Sequence, residues 1–274
     1  MSEAASRDRP AGGRPVVAAA EWSRQGLPTI ALSIVVLGAW EAAIHLFDVS
    51  PYIVPAPSAI AHTLALKFGL LMAAAAVTAK EVLIGFLLSG VVGAAIALLI
   101  VRFRLFGRAL YPLIIVFQTV PKVALAPIFI LWFGYDLAPK ILLIVVIAFF
   151  PVAIDMLAGL QSVDPSLIAL MRSVGASRND VMRRVQIPHA LPHLMSGLKI
   201  AITFSVIGAI VGEFAGASSG LGYMIQFAST QLDTALVFAA LIVVSCVGVG
   251  FYYVVELAER FVVPWAPKFD PLNR

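Results

Sequence analysis

DPSLIALMRSVGASRNDVMRRVQIP, residues 164–188, is a polar interruption in a chain otherwise apolar enough to sit in a bilayer. Asp164 and Pro165 open a helix, the first as a side-chain cap and the second as a ring that pre-sets the first turn. Leu167, Leu170, Met171 and Val174 recur at i, i+3, i+4 and i+7 and make one apolar stripe. Gly175 ends that helix, because glycine accepts the left-handed cap. Ser177 starts a second helix, with Asp180 three residues on as its capping-box partner. Val181, Met182 and Val185 form its apolar face, and Arg178, Arg183 and Arg184 its basic one. Pro188 reads as its exit. The stretch is therefore two short amphipathic helices hinged at a glycine, and by pattern alone such a loop lies on a membrane surface.

Composition sets the class around it. Of 274 residues, 61% are hydrophobic and 12% charged, where a soluble domain carries about 25% charged residues. The fold class is an all-α polytopic membrane protein, since a barrel would show short alternating segments. Cys246 is the single cysteine, so there is no disulfide framework. A basic chain of this kind reflects arginine-rich cytoplasmic loops rather than nucleic-acid binding.

Six transmembrane helices follow from the apolar runs, at about 17–25 residues per span: residues 29–47, 73–101, 110–133, 140–160, 190–211 and 235–257. The transmembrane domain covers 29–262, between a cytoplasmic tail at 1–28 and another at 263–274. Ser58 is expected to cap an external helix reaching Leu71. Lys80 and Glu81 are expected to pair at the start of the second span. The third contains Pro112, Pro121 and Pro127 and is expected to kink. A short helix is expected at Tyr223–Ser229. Arg7, Arg9, Arg14, Arg24, Arg102, Arg104, Arg108, Arg172, Arg178, Arg183, Arg184, Arg260, Lys268 and Arg274 fall on one side, most of the 19 Lys and Arg. That bias predicts both termini and the interrupted loop in the cytoplasm.

No GxxxxGK[ST] loop and no HExxH occurs, so ATP is not expected on this chain. His189 and His193 have the spacing of a helical metal pair, but Pro192 lies between them and no carboxylate accompanies them. Ionisable and polar groups at membrane depth are costly and mark function by default. Here they are Gln118, Thr119, Lys122, Asp155 and Glu213, the candidate lining of a translocation path. Lys122 and Glu213 are opposite in charge and can instead pair with each other.

Gly175, nine residues, Val185, one residue, Ile187 and Pro188 resemble the loop signature of binding-protein-dependent ABC transporter permeases. The family's opening Glu-Ala-Ala is here Ala169, Leu170 and Met171, without the acid. The resemblance implies that this loop is a coupling helix docking on an ATP-binding subunit, through Ala169, Leu170, Met171, Gly175, Ala176, Ser177, Val181, Val185, Ile187 and Pro188. QTVPKVALAPIFILWFG (118–134) and FFPVAIDMLAGLQSVDP (149–165) are similar to the nitrate, sulfonate and taurine branch. GEFAGASSGLGYMI (212–225) and ERFVVPW (259–265) are similar to permeases for pyrimidine precursors of thiamine or for riboflavin.

The family implies a permease homodimer in the bacterial inner membrane and a periplasmic or lipid-anchored binding protein. ATP and Mg sit on the partner ATPase, and no cofactor, catalytic or metal residue is expected on this chain. Two other classes stay open. A self-contained secondary carrier would show inverted repeats. A membrane-embedded enzyme would use His189, His193 and Asp155. An anionic substrate would suit Lys122, and a planar heterocycle Phe117, Trp132 and Phe214.

Overall fold

Apolar runs this long satisfy their backbone groups in a bilayer only as helices or closed barrels. The computed structural model describes residues 16–265, and those residues form helices with no strand among them. In order they are α1 (Val16–Leu46), α2 (Pro57–Leu66), α3 (Phe68–Arg102), α4 (Arg104–Thr119), a 3-10 turn (Lys122–Leu125), α5 (Ala126–Phe133) and α6 (Leu137–Gln161). Then come α7 (Pro165–Ser173), α8 (Arg178–Val181), a π-helical segment (Met182–Gln186), α9 (Ile187–Gly216), α10 (Leu221–Thr230) and α11 (Thr234–Val262). The expected tails lie largely outside the described residues, although α1 already runs from Val16 through Pro28.

Among the described residues five helices are long and apolar enough to cross a membrane. Two shorter helices, residues Gly107–Thr119 and Lys122–Phe133, pass the same test only together and meet at 86°. The expected kink is thus a break, and it falls at one proline of three. Pro121 has no N–H to donate, and it forces the preceding Val120 into an extended conformation (ψ 129°). Pro112 is carried inside α4, and Pro127 sits in the first turn of α5, where a missing N–H costs nothing.

The centre of the bundle is α3, α6 and α9. Val82 and Phe86, Ile144 and Val152, and Ile202 and Val206 form one buried cluster across them. In lipid, close helix packing needs small residues. Gly197 of α9 is such a place: a β-carbon there would lie 2.9 Å from the Pro151 carbonyl oxygen and 3.0 Å from the Val152 Cα.

Each end of the bundle has its own cluster. Leu71, Leu221, Ile225, Leu236 and Ala240 join α3, α10 and α11 at what we call the α10 end. Ile100, Ile114, Leu157, Leu160 and Ala190 join α3, α4, α6 and α9 at the other, the loop end.

α1 stands aside, with Ile34 and Val35 each 65% exposed. Trp40 holds it to Phe238 (ring centroids 5.9 Å apart). So does Glu41, which accepts from the Ser58 N–H at 3.0 Å and its hydroxyl at 2.6 Å. Ser58 is therefore not a helix cap as expected; Ala56 holds that position without a side-chain bond. Nor does that helix reach Leu71, because the chain bends at Lys67, where the ammonium meets Asp233 at 2.7 Å.

Candidate functional site

The interrupted loop is built from local signals. The Ser166 N–H donates to the Asp164 carboxylate at 2.8 Å and Pro165 takes the first turn, so α7 starts as its sequence indicates. It ends at Gly175, φ +83°. The Ala176 N–H reaches the Met171 carbonyl and the Gly175 N–H the Arg172 carbonyl, each at 3.0 Å. That is a Schellman cap, which needs the left-handed residue glycine supplies.

Ser177 and Asp180 then close a capping box on α8. The Ser177 hydroxyl, and after it the Ser177 N–H, hold the Asp180 carboxyl below its ordinary range. Ser166 does the same for Asp164 through its N–H first and its hydroxyl second.

Beyond Asp180 the loop departs from expectation. α8 is not a separate short helix that exits at Pro188. It continues through the π-helical segment into α9, so residues Arg178–Gly216 run as one helix of 39 residues. Pro188 lies in the first turn of α9. The wider π turn, in which the Ile187 N–H reaches back to Met182, absorbs the donor that proline lacks. Arg178 donates to the Val101 carbonyl at the end of α3 (2.9 Å), and Gln186 to the Leu160 carbonyl of α6 (3.2 Å).

Within this frame the apolar stripe of α7 is uncovered. Leu167, Leu170 and Val174 are 43%, 60% and 74% exposed. Ala169 and Ser177 are exposed, Met171 and Ala176 half-buried. Val181 is buried, while Val185, Ile187 and Pro188 are half-buried against the bundle. The stripe is thus an exposed apolar face on a helix held at both ends by caps, the kind of patch that marks an interaction surface.

The candidate path residues divide. Gln118 and Thr119 end α4 in exposed positions just before the break, with the Thr119 hydroxyl on the Val116 carbonyl at 2.8 Å. Lys122 opens the 3-10 turn with its ammonium 5.9 Å from the Phe150 ring centroid of α6, a cation–π distance. Asp155, further along α6, is half-buried beside His193 and Ser196 of α9.

Glu213 is elsewhere. It is fully buried and does not pair with Lys122. One carboxylate oxygen accepts from the Thr78 hydroxyl at 2.7 Å and the other from the Gly222 N–H. Thr78 in turn accepts from the Leu221 N–H at 2.8 Å. The Glu213 carboxylate and its threonine thus satisfy orphan donors at the N-terminus of α10. A β-carbon at Gly220 (φ +107°) or at Gly222 would strike that carboxylate, which explains the last two glycines of GASSGLGY (216–223), while one at Gly216 would strike the Tyr135 ring.

Next to it, Lys140 of α6 donates to Glu81 of α3 at 2.6 Å, so Glu81 pairs across the bundle while Lys80 is exposed. The second Glu81 oxygen is buried without a partner. Thr78 and Lys140 carry no local sequence mark; only membrane depth could have flagged them.

Among the described residues no three His, Cys, Asp or Glu side chains gather to hold a metal ion. His189 meets the Ser162 hydroxyl at 3.1 Å, and the side chain of His193 packs over Gly159.

Comparison with known proteins follows this geometry. A family model described as "Binding-protein-dependent transport system inner membrane component" matches residues 85–264. The formylaminopyrimidine transport permease protein of Halalkalibacterium halodurans is 34% identical over 247 residues, 90% of this chain and 98% of that protein. The riboflavin transport system permease protein of Chloroflexus aurantiacus is 33% identical over 89% of this chain and 91% of its own. A putative aliphatic sulfonates transport permease protein of Bacillus subtilis is 32% identical over 87% of each. In fold, the chain is similar to an inward-facing methionine ABC transporter, with a TM-score of 0.61 at 20% identity over 73% of this chain and 98% of that one.

Proposed function

This chain belongs to the family of binding-protein-dependent transport system inner membrane components, and from that premise we propose how it works as the permease subunit of an ABC importer. Two copies form the path. Both termini and the 164–188 loop face the cytoplasm, and a binding protein delivers solute at the α10 end. ATP and Mg bind only to the ATPase subunits below.

The observation that carries the mechanism is the uncovered stripe of α7 beside a helix that runs unbroken into the fifth span. An ATPase surface covering Leu167, Leu170, Met171 and Val174 pushes on the loop. Ala169, Gly175, Ala176 and Ser177 shape the contact, and Val181, Val185, Ile187 and Pro188 pass the displacement to α9. Closure of the ATPase pair then turns the path from inward- to outward-facing.

Gly175→Pro tests this, because proline cannot adopt a φ near +80°. In proteoliposomes with the ATPase and binding protein, the variant is expected to insert normally and lose transport. Uptake at the wild-type rate by this variant, or by the chain alone, would overturn the coupling role and favour a self-contained carrier.

For the solute we infer a small planar nitrogen heterocycle of the pyrimidine or flavin kind. Exposed Phe117 lies 6.4 Å from Phe149 between centroids, the rings tilted by 48°, and exposed Trp132 and Phe214 add further aromatic surface. Gln118 and Thr119 offer hydrogen bonds, and the acid Asp155 opposes an anion. A sulfonate is the second reading, with Lys122 as its contact. Uptake of labelled hydroxymethylpyrimidine, riboflavin and taurine, each measured directly, separates the two; uptake of taurine alone would overturn the first.

A further inference from the structure

A cavity of about 820 Å3 opens at the loop end, between the ends of α3 and α6, the start of α4, and helices α7 and α8. Its lining includes the apolar Ile100, Leu160 and Val181 together with Arg108, Arg172 and Arg178. No aspartate or glutamate lines it, and none of the three arginines forms an ion pair among the described residues. Arg178 is already fixed by its bond to the Val101 carbonyl.

The cavity is distinct from the docking stripe. Ile168 and Arg172, four apart on α7, line it, whereas Leu167, Leu170 and Val174 occupy the neighbouring exposed face. Three exposed arginines on one cavity with no acidic residue in its lining make a positive field that favours an anion. Planar guanidinium forks match the oxygens of a phosphate in paired hydrogen bonds.

We propose that this cavity binds a phosphate group, either the headgroup of an anionic phospholipid or a free phosphate. An apolar lining together with the arginines suits an amphiphile, and basic pockets between spans on the cytoplasmic side hold such headgroups. The lipid source, unlike the phosphate chemistry, rests on the orientation proposed above.

The experiment uses the full chain purified in neutral detergent. Native mass spectrometry reads retention of phosphatidylglycerol against phosphatidylcholine, with inorganic phosphate as the competing probe. Arg108→Gln is the main variant because it lies on α4, outside the docking loop; Arg178→Gln is the second, and Arg108→Lys the partial rescue.

The expected result is selective retention of phosphatidylglycerol, weakened roughly fivefold per arginine removed. Binding of inorganic phosphate with no lipid retained, and with the same arginine dependence, would assign the free-phosphate source. Equal binding by wild type and the double variant, or no binding of either probe, would overturn the site. Orientation is read separately, by impermeant maleimide labelling of a Leu105→Cys, Cys246→Ser chain in sealed inverted vesicles. Failure there would overturn the cytoplasmic placement and leave the detergent result standing.

Discussion

Thr78, Glu81, Lys140 and Glu213 at the α10 end are each at most 8% exposed and meet in two bonded pairs, while Leu167, Leu170 and Val174 at the loop end are 43% to 74% exposed. The first set is polar and enclosed; the second is apolar and bare. Burying charge in a bundle is costly unless it is paired, and leaving an apolar stripe bare is costly unless something covers it. The α10 end therefore meets its buried polar groups from within, one Glu81 oxygen excepted, and ties α3, α6, α9 and α10 together. The loop end leaves its apolar stripe uncovered, and the function proposed above covers it with a partner.

This contrast predicts opposite kinds of damage. Lys140→Met should do the most harm to the fold, because it leaves the Glu81 charge buried and unpaired. A loss of about 3–5 kcal/mol is expected, seen as early thermal unfolding in detergent. A wild-type unfolding midpoint would show that water reaches this end. Thr78→Val comes next. It removes the donor to Glu213 and the acceptor for the Leu221 N–H, at about 1–3 kcal/mol, and α10 amides should exchange faster with solvent. Unchanged exchange there would mean that Glu213 does not hold α10.

Val174→Asp reverses the pattern. At an exposed position the stability change should stay within about 0.5 kcal/mol, while co-purification of the ATPase subunit falls. Intact assembly would remove α7 from the docking surface. The smallest effect is on pH. Asp180 has a depressed carboxyl pKa in the fold, so its cap contributes above the ordinary carboxylate value and fades as pH falls through the depressed one. Protection of the α8 amides should therefore hold from neutral pH into mild acid and drop only in strong acid. A drop already near pH 6 would show that the cap depends on another group.

The same contrast explains what the sequence could reveal. The spans stand out because hydropathy is local, and so do the caps at Asp164, Gly175 and Ser177, whose partners lie within five residues. Glu213 and Thr78 are 135 residues apart, and Glu81 and Lys140 are 59 apart. Nothing in either neighbourhood points to the other, and Lys80 stood nearer to Glu81 in sequence. Pro188 misled for a different reason. A proline ends one helix or begins the next, and only the π turn before it decides that here the helix simply continues. Among three prolines in the third span, the one followed by Lys122 breaks the chain because the residue before it leaves the helical region.

The unbroken helix from Arg178 to Gly216 has a mechanical meaning. Its 39 residues measure about 58 Å at 1.5 Å each, and its two ends are the α8 capping box and the turn just beyond Glu213. It is a lever arm with a swivel at Gly175 and a clamp on α10. A tilt of roughly 5° over that length carries the far end about 5 Å. In the coupling proposed above, a displacement of the loop would reach the Glu213 end along one continuous helix, without a relay of side-chain rearrangements between separate elements.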